Sequence, residues 1–272
     1  MAGRKLRWTF DGLGGTPALR SEWPPGSSAP APPIRDLEAD QVPSVFQPIV
    51  DLSNGKTFAH EGLVRCTVPC YEDPLKLFQA AVAQGVVGRL GRIVRSALFE
   101  RGAGLRLFVN LHPLELSARW LVRPDDPICS HDGELFLEIT ESAAIEHFDL
   151  CDNVLGEVCS RTGAKLVIDD FGAGYSNLER IVRLEPSVVK LDRALVANLD
   201  QNLRKRVLVM HVVSLCADLG ATVVAEGIET SGELAAVTDA GAHYGQGFLL
   251  ARPAWPIPAV HWARPTSSVD PS

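Results

Sequence analysis

From Ser44 onward, short apolar runs alternate with longer stretches of helical period. The runs cover 45–52, 57–64, 105–111, 135–139, 165–168, 188–191, 222–225 and a less regular 244–250. Helical periodicity fills 74–83, 86–101, 148–161, 202–219 and 231–240, and Gly85, Gly102, Gly163, Gly220 and Gly241 stand at or just past the helix ends. Strands alternating with helices predict βαβ units on a mainly parallel sheet. Eight strands at this spacing favour an α/β fold of the (β/α)8, TIM-like barrel type over an open doubly wound sheet. The first two runs are joined only by Ser53-Asn54-Gly55-Lys56. Asn-Gly is a hairpin turn, so the expected barrel is modified, with an antiparallel first strand.

Upstream of this pattern the texture differs. Residues 1–40 carry six prolines with Gly and Ser between them, and SEWPPGSSAPAPP cannot hold a regular ladder. The expected layout is a Pro-rich flexible arm (1–40), a folded domain (41–258) and a C-terminal tail (259–272). With 46% hydrophobic and 22% charged residues, the chain has the composition of a soluble globular protein. The arm holds five basic and five acidic residues, so the net charge of −7 falls entirely on 41–272. An acidic domain is a poor match for nucleic-acid polymers, which need a basic face. The basic N-terminus is followed by no apolar leader core, and the most apolar stretch, 207–217, is broken by His211 and Ser214. That is far short of the roughly 20 residues of a membrane span. Six scattered cysteines form no CxxC pair, and Cys66 and Cys70 lack the partners a zinc site needs. Free thiols in a reducing cytoplasm are the expectation, with no membrane attachment.

The chemistry shows in where polar residues fall. The second apolar run ends near Glu61, the third at Asn110, and the fourth carries Glu138 with Glu141 beyond. The fifth closes on Asp169 and Asp170, the sixth offers Lys190 and Asp192, and the seventh ends at Glu226 with Glu229 following. Gln246 lies in the last run. In a barrel these ends converge on one rim, where active sites are built. One such Glu means only a solvated loop, and one Asp-Asp pair usually caps a helix. Carboxylates from several strands in one cleft repel one another unless cations neutralise them. Oxygen ligands without Cys or His point to Mg²⁺ or Mn²⁺, and adjacent aspartates suit two ions about 3.5–4 Å apart. Two other motifs almost fit. Asp170-Phe171-Gly172 spells the kinase DFG but lacks the other kinase loops, and Gly172-x-Gly174-x-x-Asn177 lacks the last glycine of a dinucleotide fingerprint. His60, His112 and His243 lie near the candidate positions, where supporting or surface roles are the expectation.

Taken together, FQPIVDL (46–52), EGLVR (61–65), FVNLHP (108–113), LEITES (137–142), IDDFGAGYSNL (168–178), VVKLD (188–192), VVAEGIET (223–230) and YGQGFLLARP (244–253) resemble the EAL-domain family of cyclic di-GMP phosphodiesterases. The resemblance implies a modified barrel, two Mg²⁺ or Mn²⁺ ions, and hydrolysis of one bond of cyclic di-GMP to linear pGpG. It implies that Glu61, Asn110, Glu138 and Asp169 hold one ion and that Asp169, Asp170 and Glu226 serve the second. It further implies that Lys190 orients or activates the attacking water and that Glu141 steadies the Asp-Asp loop. Gln47, Leu63, Arg65 and Gln246 match substrate positions. The family's middle Ala is Gly62 here, Cys66 stands where Trp is common, and His112 replaces a small hydroxyl residue.

The competing reading is a catalytically silent cyclic di-GMP receptor or protein-interaction module on the same fold. Silent relatives typically lose one of the Glu, Asp-Asp or Lys positions, and this chain keeps all of them. Residues 1–40 leave no room for a GGDEF-like or sensor segment, so control by dimerisation or a separate regulatory protein is expected. The resemblance implies a homodimer formed near the loop after strand five and the helix after strand six.

Overall fold

The computed structural model describes residues 31–117, 121, 123–146, 148–173 and 182–262. Eight strands close a barrel in chain order: β1 (Ser44–Asp51), β2 (Thr57–Val64), β3 (Leu107–Asn110), β4 (Leu135–Thr140), β5 (Lys165–Phe171), β6 (Val188–Leu191), β7 (Thr222–Ala225) and β8 (Tyr244–Gly245). β1 runs antiparallel to both of its neighbours, β2 and β8, whereas the other pairs are parallel. The hairpin that reverses β1 turns on Asp51, whose carboxylate accepts from the Ser53 N–H at 2.8 Å, and on Gly55 at φ 75°. That positive φ is the reason for a glycine at the turn.

The helices form where the sequence punctuates them. Asp73 caps Pro74–Ala83 by accepting from the Leu75 N–H, Asn202 caps Leu203–Asp218, and Thr230 with Glu233 makes a capping box on Ser231–Asp239. Gly163, at φ 73°, ends Gly156–Thr162 in the left-handed conformation. Three short helices, Pro113–Ser117, Glu141–Glu146 and Arg193–Val196, follow β3, β4 and β6 with too few residues to show a period.

Three of the expected boundaries move. The last run is a strand only at Tyr244–Gly245. The chain turns at Gly247 because its backbone lies against Ile228, where a Cβ would run into the Ile228 main chain. The end of the Pro-rich stretch is packed: Ile34 and Leu37 are each 1% exposed, in a cluster with Val64, Phe78 and Leu90. The Ile34 N–H donates to Gln84 Oε1 at 2.8 Å, which ties the segment to the helical hairpin 74–101. Composition marked this stretch as arm because prolines with Gly and Ser between them cannot hold a regular ladder, yet two buried side chains suffice to seat it. On the other side, Val260 and Trp262 pack on the main core and the His261 N–H donates to Leu250 O at 2.7 Å. The first residues assigned to the tail therefore belong to the fold, and the rest of arm and tail lies outside the described residues.

Inside the barrel the side chains stack in two layers. Ile49, Ala59, Phe108, Phe136, Val167, Val188 and Val224 form an apolar floor, with Tyr244 and Phe58 beside it. Side chains on a strand return to the same face every second residue. Two residues beyond each floor position come Glu61, Asn110, Glu138, Asp169, Lys190 and Glu226, and Gln246 stands two beyond Tyr244. β1 runs the other way, so its contribution, Gln47, comes two residues before Ile49.

Candidate active site

The polar layer is a single cluster at the C-terminal ends of the parallel strands. Glu61, Glu138, Asp169, Lys190, Glu226, Gln47 and Gln246 are all at most 5% exposed. Two groups of carboxylates lie within 4.8 Å of one another: Glu61, Glu138 and Asp169, and Asp169, Asp170 and Glu226. Asp169 belongs to both.

Adjacent residues on a regular strand point to opposite faces, so two neighbouring aspartates should not share a site. A bulge resolves this. β5 pairs with β6 through Ile168↔Val189 and then Phe171↔Leu191, so the aspartates occupy an irregular step. Asp170 sits at φ 57°, a left-handed conformation that Asp tolerates better than most residues. Its N–H donates to Asp169 Oδ1 at 2.9 Å. Two residues on, the Gly172 N–H donates to Glu141 Oε2 at 3.0 Å, which links the end of β5 to the helix after β4. Gly172 has φ 90°, and a side chain there would collide with Leu195.

Lys190 occupies the centre. Its Nζ lies 2.8 Å from Glu226, 3.6 Å from Asp169 and 3.7 Å from Glu61, and it contacts Glu138. Burial pushes its pKa down, but Asp169, Glu138, Glu226 and Glu61 outweigh this and hold it well above the ordinary lysine value. The amine is therefore charged. Amide side chains complete the layer. Asn110 Nδ2 donates to Glu61 Oε1 at 3.0 Å, and Gln246 Nε2 donates to Gln47 Oε1 and Glu61 Oε2 at 3.0 and 2.5 Å. Gln47 Nε2 is fixed in turn on Ala251 O at 3.0 Å. Leu63 is buried one step above Glu61, and half-buried Arg65 follows at the strand exit, its Nη1 donating to Val64 O at 2.8 Å.

Several nearby polar residues stand apart. Asp192 caps Arg193–Val196, and Glu229 pairs with Arg193 at 2.7 Å on the surface. Nδ1 of His112 accepts from the Leu114 N–H, and Nδ1 of His243 from the Val223 N–H. Thr140 escaped the strand-end reading, although it is buried two residues beyond Glu138 and opposite Asp169. The alternation Phe136, Glu138, Thr140 was the available signal. Gly174 and Asn177 lie outside the described residues.

Comparison with known proteins agrees with this geometry. The EAL domain model matches residues 34–253. The chain is 31% identical over 241 residues to the cyclic di-GMP phosphodiesterase PdeR of Escherichia coli K12, covering 84% of this chain and 36% of that one. Among solved structures, Klebsiella pneumoniae BlrP1 in complex with manganese and cyclic di-GMP superposes with a TM-score of 0.69 at 32% identity, over 78% of this chain and 56% of that one. The PaMucR phosphodiesterase in complex with c-di-GMP gives 0.70 at 30% identity, over 79% and 92%. The chain thus spans little more than a third of PdeR and just over half of BlrP1. A match over most of the chain, on a barrel whose first strand is reversed, places the protein in the EAL domain family.

Proposed function

We propose that the chain is a cyclic di-GMP phosphodiesterase that opens one phosphodiester bond to give linear pGpG with two bound Mg²⁺ or Mn²⁺ ions. The observation that carries this reading is the pair of carboxylate triads sharing Asp169. Hard oxygen donors in this number suit Mg²⁺ or Mn²⁺. Lys190 supplies one positive charge against the four carboxylates it touches, Glu61, Glu138, Asp169 and Glu226, so the charge sum there is 1 − 4 = −3. Glu61, Glu138 and Asp169 with Asn110 would hold one ion, and Asp169, Asp170 and Glu226 the other. When bound, such ions draw a phosphodiester into an acidic pocket and lower the pKa of a water towards neutrality.

The chain's own groups then have distinct tasks. Lys190, charged and rigidly held, donates a hydrogen bond to the water or offsets charge that develops on the phosphoryl oxygens. The amides of Asn110 and Gln246 hold Glu61 from two sides, which fixes its carboxylate. Glu141 holds the Gly172 amide and through it the bulge that aims Asp170. Arg65 and Leu63 at the exit of β2, Gln47 near the start of the reversed β1 and Gln246 just past β8 would line the side where a guanine nucleotide lies, with Arg65 facing its phosphate.

A homodimer fits the surface of the helix Leu203–Asp218, which leaves Leu203, Val207, Leu208, Met210 and Leu215 at least 38% exposed. Apolar exposure on one helix supports a protein contact. Six unbonded cysteines support a cytoplasmic setting, and among the described residues no helix is long and apolar enough to cross a membrane. Input through a separate regulatory protein completes the proposal. The test is chromatography of cyclic di-GMP incubated with the pure protein and Mg²⁺ or Mn²⁺. A single new peak of pGpG is expected. Nucleotide that binds but stays intact under both metals would instead identify a silent receptor.

A further inference from the structure

The position of Lys190 carries a consequence beyond catalysis, one that rests on the two-ion reading above. We propose that Lys190 is the resident cation of the metal-free protein: it holds the ligand carboxylates together before metal arrives, and its charge weakens the metal affinity of the finished site.

The four carboxylates that Nζ reaches come from β2, β4, β5 and the residue just after β7, whereas Lys190 itself stands on β6. One ammonium therefore ties together strands that are not all neighbours in the barrel. It touches both carboxylate triads, through Glu61 and Glu138 in one, Glu226 in the other, and Asp169 in both. The side chain is 0% exposed, with Nζ 5.9 Å from the centre of the Phe108 ring on the apolar floor. The amine therefore stands among the same carboxylates that the ions would use. Like charges this close in a buried site repel strongly, and Lys190 is a cation placed against all four of these carboxylates at once. A divalent ion entering either triad meets the attraction of the carboxylates and the repulsion of a fixed ammonium. A lysine that served only the reacting water would leave both metal-free stability and metal affinity where they were.

Thermal unfolding in EDTA and calorimetric titration with Mn²⁺, on the full chain and on Lys190→Met, separate the two roles without any turnover assay. The expected result is a lower unfolding temperature for Lys190→Met in EDTA, Mn²⁺ binding tightened about tenfold, and a larger Mn²⁺-induced rise than in the parent. Equal stability in EDTA together with equal or weaker Mn²⁺ binding would overturn the proposal. If Lys190→Met cannot be recovered free of metal, the comparison passes to Lys190→Met/Glu138→Gln, which carries one negative charge fewer. That variant should be recoverable free of metal and should unfold cooperatively in EDTA, and a double variant that likewise cannot be recovered free of metal contradicts the proposal. Absence of Mn²⁺ binding to the parent protein would defeat the two-ion reading alone, because the EDTA comparison still reports what Lys190 holds together.

Discussion

Among the described residues two cations are fully buried, Arg95 and Lys190, each among carboxylates, and they differ in how their charge is matched. Arg95, on the helix Val87–Arg101, places Nη1 2.5 Å from Glu115 and gives Nε and Nη2 to Asp126 at 3.0 and 2.8 Å. Both carboxylates also accept a backbone N–H, from His112 and Ile128 respectively, at 3.1 Å. Gly91 makes room, since a Cβ there would overlap the Glu115 carboxylate. The guanidinium fork is matched donor for acceptor, with a charge sum of 1 − 2 = −1. Lys190 by contrast has three N–H donors for four carboxylates, and the sum is −3. Burial and ion pairing are common to both clusters. The second carries the larger excess of negative charge, −3 against −1, which marks it as the place where further cations would bind, while the first fastens the β3–β4 connection to the helix behind it.

The largest effect expected from this contrast is on turnover. Glu61→Ala removes a carboxylate common to the first triad, the Lys190 contact and the Asn110 and Gln246 bonds. Turnover should fall at least about a thousandfold, with unfolding stability in EDTA little changed or raised. Unchanged turnover would remove Glu61 from the site. Arg95→Met should do the opposite. It leaves Glu115 and Asp126 buried without their counterion, so urea unfolding should show a loss of about 3–5 kcal/mol. Molecules that remain folded should keep turnover within a few-fold, and a stable but inactive Arg95→Met would break the distinction. Glu141→Ala, which frees the Gly172 amide, should lower turnover about 10–100-fold.

Smaller effects lie away from both clusters. Burial raises the Glu233 carboxyl pKa, but N–H bonds from Glu229, Asn198 and Thr230, with Arg193 nearby, outweigh it and hold the group below its ordinary 4.5. Because the folded pKa is the lower one, this stabilisation is present above pH 4.5 and is lost as pH falls through the folded value. Glu233→Gln should therefore cost about 1–2 kcal/mol at neutral pH, with the difference closing in acid. The exposed Arg193–Glu229 pair should matter least, with Glu229→Ala costing below about 1 kcal/mol.

The sequence carried the barrel and most of the polar layer because both follow from a period of two. Each apolar run fixes a floor residue and, two positions on, a polar one, so Glu61, Asn110, Glu138, Asp169, Lys190 and Glu226 could be listed from strand ends alone. Reversal of β1 was legible in Asn54-Gly55. What pattern could not give was local backbone departure. The bulge that turns Asp169 and Asp170 to one face depends on a left-handed residue that alternation does not reveal. Arg95 was invisible for another reason: beside Arg89, Arg92 and Arg101 on the same helix it reads as one more solvent-facing residue, and its partners lie 20 and 31 residues away. The packed end of the Pro-rich stretch was hidden by its composition.

Metal stoichiometry tests the central claim most directly. Calorimetric titration of the metal-free protein with Mn²⁺ should count two ions per chain. Asp169→Asn, which alters the one residue common to both triads, should weaken both. A stoichiometry of zero, or an Asp169→Asn protein that binds two ions as tightly as the parent, would contradict the account.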